Sequence, residues 1–161
     1  MLRVMQVVAD IIIRIMADVL VVPIVLIGAW AMLRLPARER ADKFGRAILA
    51  GLVALFIAKL MSLLYQDGQR PFMALGVDAK AAYLNNPGFP SDHVLFVFAI
   101  TFVVWASTKN KKLAGTLFVL SCLVAVGRVL ALVHTPLDVI GGFIAALAGV
   151  SLVYGRTLYR R

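Results

Sequence analysis

The residues of this chain that could perform chemistry are concentrated in three short segments. The segments are Gln69-Arg70-Pro71-Phe72, Pro90-Ser91-Asp92-His93 and Arg128-x5-His134-x3-Asp138. Arginine forks suit phosphate oxygens, and two histidines can divide the roles of nucleophile and general acid near neutral pH. An aspartate beside one imidazole would hold its tautomer and stabilise its cation. These residue types predict phosphoryl transfer through a covalent phosphohistidine, which needs no metal.

The composition indicates that a membrane bundle positions these residues. The chain has 161 residues, of which 62% are hydrophobic and 16% are charged, whereas soluble domains are about 45–50% apolar and about 25% charged. The same figures exclude intrinsic disorder and a nucleic-acid-binding tail, despite a net charge of +9. The single cysteine, Cys122, excludes an intramolecular disulfide and a cysteine metal site. We expect no metal, no cofactor and no nucleic-acid partner.

Hydropathy predicts an all-α integral membrane bundle that forms one domain over residues 1–161. We expect one interfacial amphipathic helix over 1–18 and five transmembrane helices over 19–155, because about 20 apolar residues span a bilayer. Small residues at 141, 142 and 149 predict a face of the last span that packs closely against its neighbours. The predicted spans are Val19–Leu33, Arg46–Tyr65, His93–Ser107, Leu113–Val133 and Leu137–Gly155.

The first 18 residues carry a polar stripe on an otherwise apolar helix. The stripe, at helical spacing, consists of Arg3, Gln6, Asp10, Arg14 and Asp18. This pattern is typical of a helix that lies along the membrane interface. The alternative is a tilted first span with a buried charged stripe. We favour the interface, because a charge near the bilayer centre costs roughly 2.5–3.5 kcal/mol.

The distribution of basic residues predicts the orientation. Eleven of the 17 lysines and arginines lie in the segments 34–46, 108–112 and 156–161. With five spans these segments share one side of the membrane, which the positive-inside rule makes cytoplasmic. The segments 66–92 and 128–138, which hold the reactive residues, then face outward. We expect the aromatic residues of the first segment, Phe72, Tyr83 and Phe89, to point toward the membrane.

The three segments resemble the motifs of the type-2 phosphatidic acid phosphatase superfamily, which are Lys-x6-Arg-Pro, Pro-Ser-Gly-His and Ser-Arg-x5-His-x3-Asp. The resemblance covers the chain from Lys59 to Asp138 in the same order. Within the superfamily, Phe89-Pro90-Ser91-Asp92-His93 in a short chain is most similar to the bacitracin-resistance type of undecaprenyl-diphosphate phosphatases. The resemblance implies a multi-pass lipid phosphatase of a bacterial cytoplasmic membrane. It would act on undecaprenyl diphosphate from outside and so recycle the lipid carrier of peptidoglycan synthesis.

The resemblance also implies a role for each matched residue. His134 would be the nucleophile, and Asp138 would orient it. His93 would protonate the leaving lipid phosphate and later activate water. Arg70, Arg128 and Ser91 would bind the phosphate.

The first motif departs from the family pattern, because Leu63 occupies the position of its lysine. Lys59 lies one helical turn deeper and would have to snorkel against the tilt of helical side chains to reach a phosphate. A structural role for Lys59 is the alternative, in which case Gln66 or Gln69 could supply the donor.

The other two motifs depart from the pattern at one position each. Gly127 replaces the serine before Arg128, which removes a hydroxyl donor. Asp92 replaces a glycine, and its carboxylate should repel a phosphate unless an arginine binds it or it is protonated. We interpret Asp92 as a residue that tunes the phosphate site by orienting Arg70 or His93.

Several of these residues also have structural interpretations. Ser91 could be an ordinary helix N-cap. Thr135-Pro136-Leu137-Asp138 has the pattern of a capping box with proline at the first helical position, so Asp138 could cap, orient His134 or do both. Arg70 and Arg128 could bind lipid headgroups without catalysis.

Three functions stay open at this stage. A polyprenyl diphosphate is the favoured substrate, and phosphatidylglycerophosphate or phosphatidic acid is the alternative. A non-enzymatic lipid-binding membrane subunit is the third interpretation. It is disfavoured because both histidines are present and because Lys59 is the one charge deep inside a predicted span. The oligomeric state cannot be read from the sequence.

Overall fold

A computed structural model describes residues 1–65, 69–84, 88–108 and 110–159. These residues form helices and no strand, which confirms the predicted all-helical class. The helices are α1 (Leu2–Arg14), α2 (Val21–Leu33), α3 (Ala37–Leu64), α4 (Pro71–Ala74), α5 (Asp92–Ser107), α6 (Lys111–Leu130) and α7 (Pro136–Tyr159). A π-helical turn, Ile15–Val19, joins α1 to α2.

Several helical stretches are long and apolar enough to cross a membrane. Within the described residues, four stretches meet this condition by length and composition: Arg3–Leu33, Ala37–Leu64, Lys111–Leu130 and Pro136–Gly155. Helix α5 has 16 residues, which rise about 24 Å, less than the hydrocarbon thickness of about 30 Å. A membrane helical bundle is therefore confirmed, and the count of five spans stays a prediction.

The N-terminal segment is nearly continuous with the first span. The predicted boundary between residues 18 and 19 falls inside the π-helical turn, where the Leu20 N–H donates to the Ile15 carbonyl at 3.0 Å. Part of the polar stripe contacts the protein, since Asp10 Oδ1 lies 2.9 Å from Lys80 Nζ. The interfacial location of residues 1–18 stays a prediction.

Helix α7 packs closely on α3 and α5 through its small residues. A Cβ at Gly149 would lie 2.5 Å from the backbone nitrogen of Ala54 on α3, and one at Gly142 would lie 2.6 Å from the carbonyl oxygen of Ser91. Ala145 and Ala146 are fully buried on the same helix. The prediction of a close-packing face on the last span is confirmed.

Hydrogen bonds join three helices at the end of the bundle that carries the basic segments. The Ser107 hydroxyl donates to the Tyr154 hydroxyl at 3.1 Å, and Tyr154 donates to the Lys43 carbonyl at 3.2 Å. Helix α5 ends here and begins, at its other end, beside the reactive residues. The basic ends of α3, α5 and α7 therefore lie together and opposite the reactive residues. Which membrane face each end occupies stays a prediction.

The aromatic residues of the segment 69–90 are not arranged as we expected. Phe72 and Phe89 are buried, at 8% and 7% exposure, and only Tyr83 of the three is substantially exposed. The Phe89 ring packs against Tyr65 with 4.9 Å between centroids, and Phe72 packs against Tyr83 at 4.8 Å. The expectation that all three point toward the membrane is wrong, because two of them fill space between helices and loop.

Candidate active site

The turn between α6 and α7 is hydrogen-bonded along its length to the segment that carries Arg70. Leu132 has a φ of 61°, which is uncommon outside glycine and reverses the chain just before His134. Three successive carbonyls of this turn accept hydrogen bonds. The donors are Lys80 N–H to Ala131 O (3.2 Å), Phe72 N–H to Leu132 O (3.0 Å) and Arg70 Nη1 to Val133 O (2.7 Å). The first and third motifs are thereby held together.

His134 and Asp138 form a buried pair at the start of α7. Asp138 Oδ2 lies 3.3 Å from His134 Nδ1 and also accepts the Thr135 N–H at 2.7 Å. The Thr135 hydroxyl accepts the Asp138 N–H at 3.2 Å, which completes the capping box that the sequence predicted. Asp138 thus both caps the helix and contacts the imidazole.

Burial favours the neutral form of the His134 imidazole. Desolvation lowers the pKa of His134 below its usual value, and the nearby charges of Arg128 and Arg70 lower it further. The hydrogen bond that Asp138 accepts from His134 opposes this shift without reversing it. A neutral imidazole whose Nδ1 faces a carboxylate carries its lone pair on Nε2, which is the form that a nucleophile requires.

Ser91 occupies the N-cap position of α5, but its hydroxyl does not cap the helix. The residue is fully buried, and its Oγ has no hydrogen-bond partner among the described residues. Its backbone N–H donates to the Asp138 carbonyl at 2.9 Å, which brings the start of α5 against α7. The hydroxyl of Ser91 is therefore available to a ligand rather than used by the helix.

Arg128 is buried at 1% exposure near the end of α6. Its Nη1 donates to Asp18 Oδ1 at 2.8 Å, and its Nε is buried with no hydrogen-bond partner in the described parts of the chain. Sequence reasoning missed Asp18 as a neighbour of the site. Its place in the polar stripe indicated a shared face, but nothing in the sequence connects it with a residue 110 positions away.

Arg70 contributes hydrogen bonds that hold the site together as well as positive charge. Its Nη1 and Nη2 donate to the carbonyls of Val133 and Leu84, the latter at 3.0 Å, and its guanidinium lies 5.6 Å from the centroid of the Tyr83 ring. Burial lowers the pKa of Arg70, and the carboxylates of Asp138 and Asp92 counter this effect.

The structure brings the residues of all three motifs into one electrostatic cluster. The partly buried His93 interacts with the charges of Arg128 and His134, and Arg128 also interacts with Arg70. Helices α5 and α7 both begin here, so their positive dipole ends favour an anion. The predicted residues that meet at this end of the bundle are Arg70, Ser91, Asp92, His93, Arg128, His134 and Asp138.

Lys59 lies at the edge of this cluster. It is exposed and, together with Phe89 and Asp92, lines a small cavity of about 40 Å³. Leu63, at the position of the family's lysine, is 74% exposed and points away from the protein. Of the alternative donors, Gln69 is exposed and Gln66 lies outside the described residues. A phosphate-binding role for Lys59 stays a prediction.

Two buried donors without a partner indicate that the site suits an anion. Within this cluster they are Ser91 Oγ and Arg128 Nε, which have no hydrogen-bond partner among the described residues. Unpaired buried polar atoms are costly, so native proteins keep them mainly where a ligand or water completes the set. A hydroxyl and a guanidinium nitrogen near a neutral imidazole form a set that a phosphate group would satisfy.

The helical membrane bundle and this cluster define a membrane-embedded phosphatase. The chain belongs to the PAP2 superfamily, which matches residues 43–161. Membership confirms the class indicated by the three motifs, and it identifies the chain as a hydrolase of phosphoric ester or anhydride bonds.

Three bacterial proteins are similar to the chain. A protein of Escherichia coli K12 named "Putative undecaprenyl-diphosphatase YbjG" is 31% identical over 149 residues, which cover 88% of this chain and 72% of that protein. "Undecaprenyl-diphosphatase BcrC" of Bacillus subtilis is 28% identical over 77% of this chain and 61% of its own length. "Bacitracin transport permease protein BcrC" of Bacillus licheniformis is 35% identical over 65% and 49%. No solved structure was found to match the chain.

Proposed function

We propose that this chain hydrolyses undecaprenyl diphosphate to undecaprenyl phosphate through a phosphohistidine on His134. The observation that carries the proposal is the contact of Asp138 with His134 Nδ1 in a cluster that also holds the buried donors of Ser91 and Arg128. The substrate rests on the names of the relatives, two of which are called undecaprenyl-diphosphatases.

In the first step, His134 Nε2 attacks the terminal phosphorus of the lipid diphosphate. The bond from this phosphorus to the bridging oxygen breaks, and undecaprenyl phosphate leaves with a proton from His93. Asp138 stabilises the positive charge that develops on the His134 ring. Arg70, Arg128 and Ser91 would bind the equatorial phosphate oxygens, and Asp92 and Lys59 would adjust the charge at the edge of the site.

In the second step, water attacks the phosphohistidine. His93, now neutral, accepts the proton of this water as a general base, which follows from microscopic reversibility. The bond from phosphorus to His134 Nε2 breaks, inorganic phosphate is released, and both imidazoles return to their starting protonation states. None of these steps assigns a role to a metal or an organic cofactor.

The site would face the outside of a bacterial cytoplasmic membrane. This part of the proposal rests on the basic segments around α2–α3 and α5–α6, which lie at the other end of the bundle and favour the cytoplasm. A carrier lipid whose phosphate is released outside could then be reused for peptidoglycan synthesis.

The test is phosphate release by purified protein from undecaprenyl diphosphate, phosphatidylglycerophosphate and phosphatidic acid measured in parallel. We expect the highest kcat/KM with undecaprenyl diphosphate and no loss of activity in excess chelator. The His134→Ala variant should release no phosphate while it stays folded and still binds lipid diphosphate. A preference for either phospholipid would reassign the substrate, and full turnover by His134→Ala would remove the proposed nucleophile.

A further inference from the structure

We propose that Asp18, in the π-helical turn after the N-terminal helix, is a positioning residue that holds Arg128 for phosphate binding. The inference rests on the proposed function, in which Arg128 binds the phosphoryl group. It adds a residue from outside the three motifs and from outside the part of the chain, 43–161, that matches the family. The N-terminal segment would then contribute to the active site through its π-helical turn.

The two carboxylate oxygens of Asp18 bind two different parts of the site. Oδ1 accepts from Arg128 Nη1 at 2.8 Å, and Oδ2 accepts the backbone N–H of Ala82 at 2.9 Å. The Asp18 side chain is 20% exposed, whereas that of Arg128 is 1% exposed. The carboxylate is therefore anchored by the chain segment that follows Arg70 and α4, and through it Arg128 is tied to that segment.

The π-helical turn brings Asp18 to this place. Leu20 N–H bonds to the carbonyl five residues back, at Ile15, so the turn is wider than an α-helical turn. Ala17 within the turn is fully buried and belongs to a cluster with Phe72, Ala131 and Val133. The turn is thus packed against both the loop and the α6–α7 connection. Turns of this kind occur frequently at functional sites.

Gly127 allows the π-helical turn to pack closely against α6. This close packing explains why glycine replaces the family's serine at that position. A Cβ at Gly127 would lie 2.6 Å from the backbone nitrogen of Ala17 and 2.7 Å from the carbonyl carbon of Met16. These are backbone atoms of the π-helical turn, so any larger residue requires the two helices to separate. The serine that the family carries here would not fit beside this turn.

The direction of the contact indicates that Asp18 holds Arg128 rather than competes with the phosphate. Asp18 bonds Nη1 and leaves Nε buried with no hydrogen-bond partner among the described residues. A guanidinium can bind a carboxylate through one edge and a phosphate oxygen through another, because its five donors point in different directions in one plane. With the Nη1 edge held, the Nε edge is available to the phosphate.

The first test measures binding of inorganic phosphate, a product of the proposed reaction, to purified full-length protein by titration calorimetry. Asp18→Asn should weaken phosphate binding by about tenfold or more, because one partner of a buried charge pair is lost. Asp10→Asn is the matched control, since Asp10 lies on α1 and its partly exposed ion pair with Lys80 does not include Arg128. It should leave phosphate binding unchanged. Because this readout needs no turnover, it tests Asp18 even if the substrate assignment fails.

A double-mutant cycle distinguishes positioning from a general effect on folding. In a chain that already carries Arg128→Ala, adding Asp18→Asn should not weaken phosphate binding further, since the two residues act as one unit. Additive losses would mean that Asp18 acts on the fold and not through Arg128, and they would overturn the proposal. Circular dichroism and thermal unfolding of each variant establish that the folded state is being compared.

A variant at Gly127 tests the same contact from the other helix. Gly127→Ala should reproduce the weaker phosphate binding of Asp18→Asn, because its Cβ displaces the π-helical turn. Gly115→Ala on the same helix, where no atom lies within 4 Å of a Cβ, is the control and should have no effect. Tighter phosphate binding in Asp18→Asn would instead make Asp18 a counter-ion that phosphate displaces. Unchanged binding, or no phosphate binding by the parent protein, would also overturn the proposal.

Discussion

Asp138 Oδ2 contacts His134 Nδ1 at 3.3 Å while it accepts the Thr135 N–H at 2.7 Å. One oxygen therefore both begins helix α7 and orients the imidazole. The cap restricts the Asp138 side chain to one position, so the orientation of His134 follows from the same local geometry that starts the helix. The helix cap therefore holds the His134–Asp138 pair in position without additional residues.

This relationship predicts a change in pH dependence for Asp138→Asn. Burial lowers the pKa of His134, so the acid limb of the kcat/KM profile should lie below the range of an ordinary histidine. Asp138 favours the imidazolium, so its removal should lower the pKa of His134 further and move the acid limb to still lower pH. The rate at the plateau should fall by about 10²–10⁴-fold.

Thr135→Ala is the control for this experiment, because it removes the hydroxyl of the cap and keeps the carboxylate. Thr135→Ala should leave the acid limb of the kcat/KM profile at the same pH as in the parent protein. A limb that stays in place or moves to higher pH in Asp138→Asn would contradict the role of the pair.

His93→Ala should separate the two steps of the proposed reaction. With undecaprenyl diphosphate, loss of the general acid should slow phosphate release by about 10²–10⁴-fold. With an aryl phosphate, whose leaving group needs no protonation, the first step should proceed and the second should stall. Labelled phosphate should then accumulate on the protein in an acid-labile form, measured after rapid quenching. Absence of the label in His93→Ala, with normal labelling of a parent control at early times, would reject this assignment.

Ser91→Ala distinguishes the two interpretations of this serine. A lost N-cap normally costs about 1 kcal/mol of stability. Because the Ser91 hydroxyl makes no capping bond, thermal unfolding in detergent should be unchanged, and the affinity for inorganic phosphate should fall by several-fold. Lower stability with unchanged phosphate affinity would restore the capping interpretation.

Gly142→Ala should lower both stability and activity. Its Cβ would lie 2.6 Å from the Ser91 carbonyl oxygen and 3.1 Å from the Leu95 nitrogen, so the start of α5 must move. Overpacking of this kind costs about 1–3 kcal/mol, and the shift also displaces Ser91 and His93. Gly115→Ala, at an uncrowded position of α6, is the control. The measurements are the unfolding temperature and phosphate release, and an active, fully stable Gly142→Ala would contradict the close packing.

The sequence was sufficient to predict the class of fold and most of the residues that meet in the candidate site. Hydropathy predicted a helical membrane bundle, and the glycines of α7 predicted its close packing, because both signals are local. The motifs predicted Arg70, Ser91, His93, Arg128, His134 and Asp138 as one set, and the structure brings these residues together at one end of the bundle. The capping box at Thr135–Asp138 was also predicted, since it depends on residues three positions apart.

The tertiary structure decided what depends on contacts between distant elements. The pattern of α1 indicated a polar face but not its neighbour, and only helix packing placed Asp18 against Arg128. The N-cap position of Ser91 was predictable, whereas the absence of a capping bond depends on the buried surroundings of its hydroxyl. From the sequence, Gly127 meant only the loss of the family's serine hydroxyl. The structure shows that the π-helical turn packs directly against this glycine. Periodicity and spacing describe one element at a time, and the neighbours of a side chain are determined only when several elements pack.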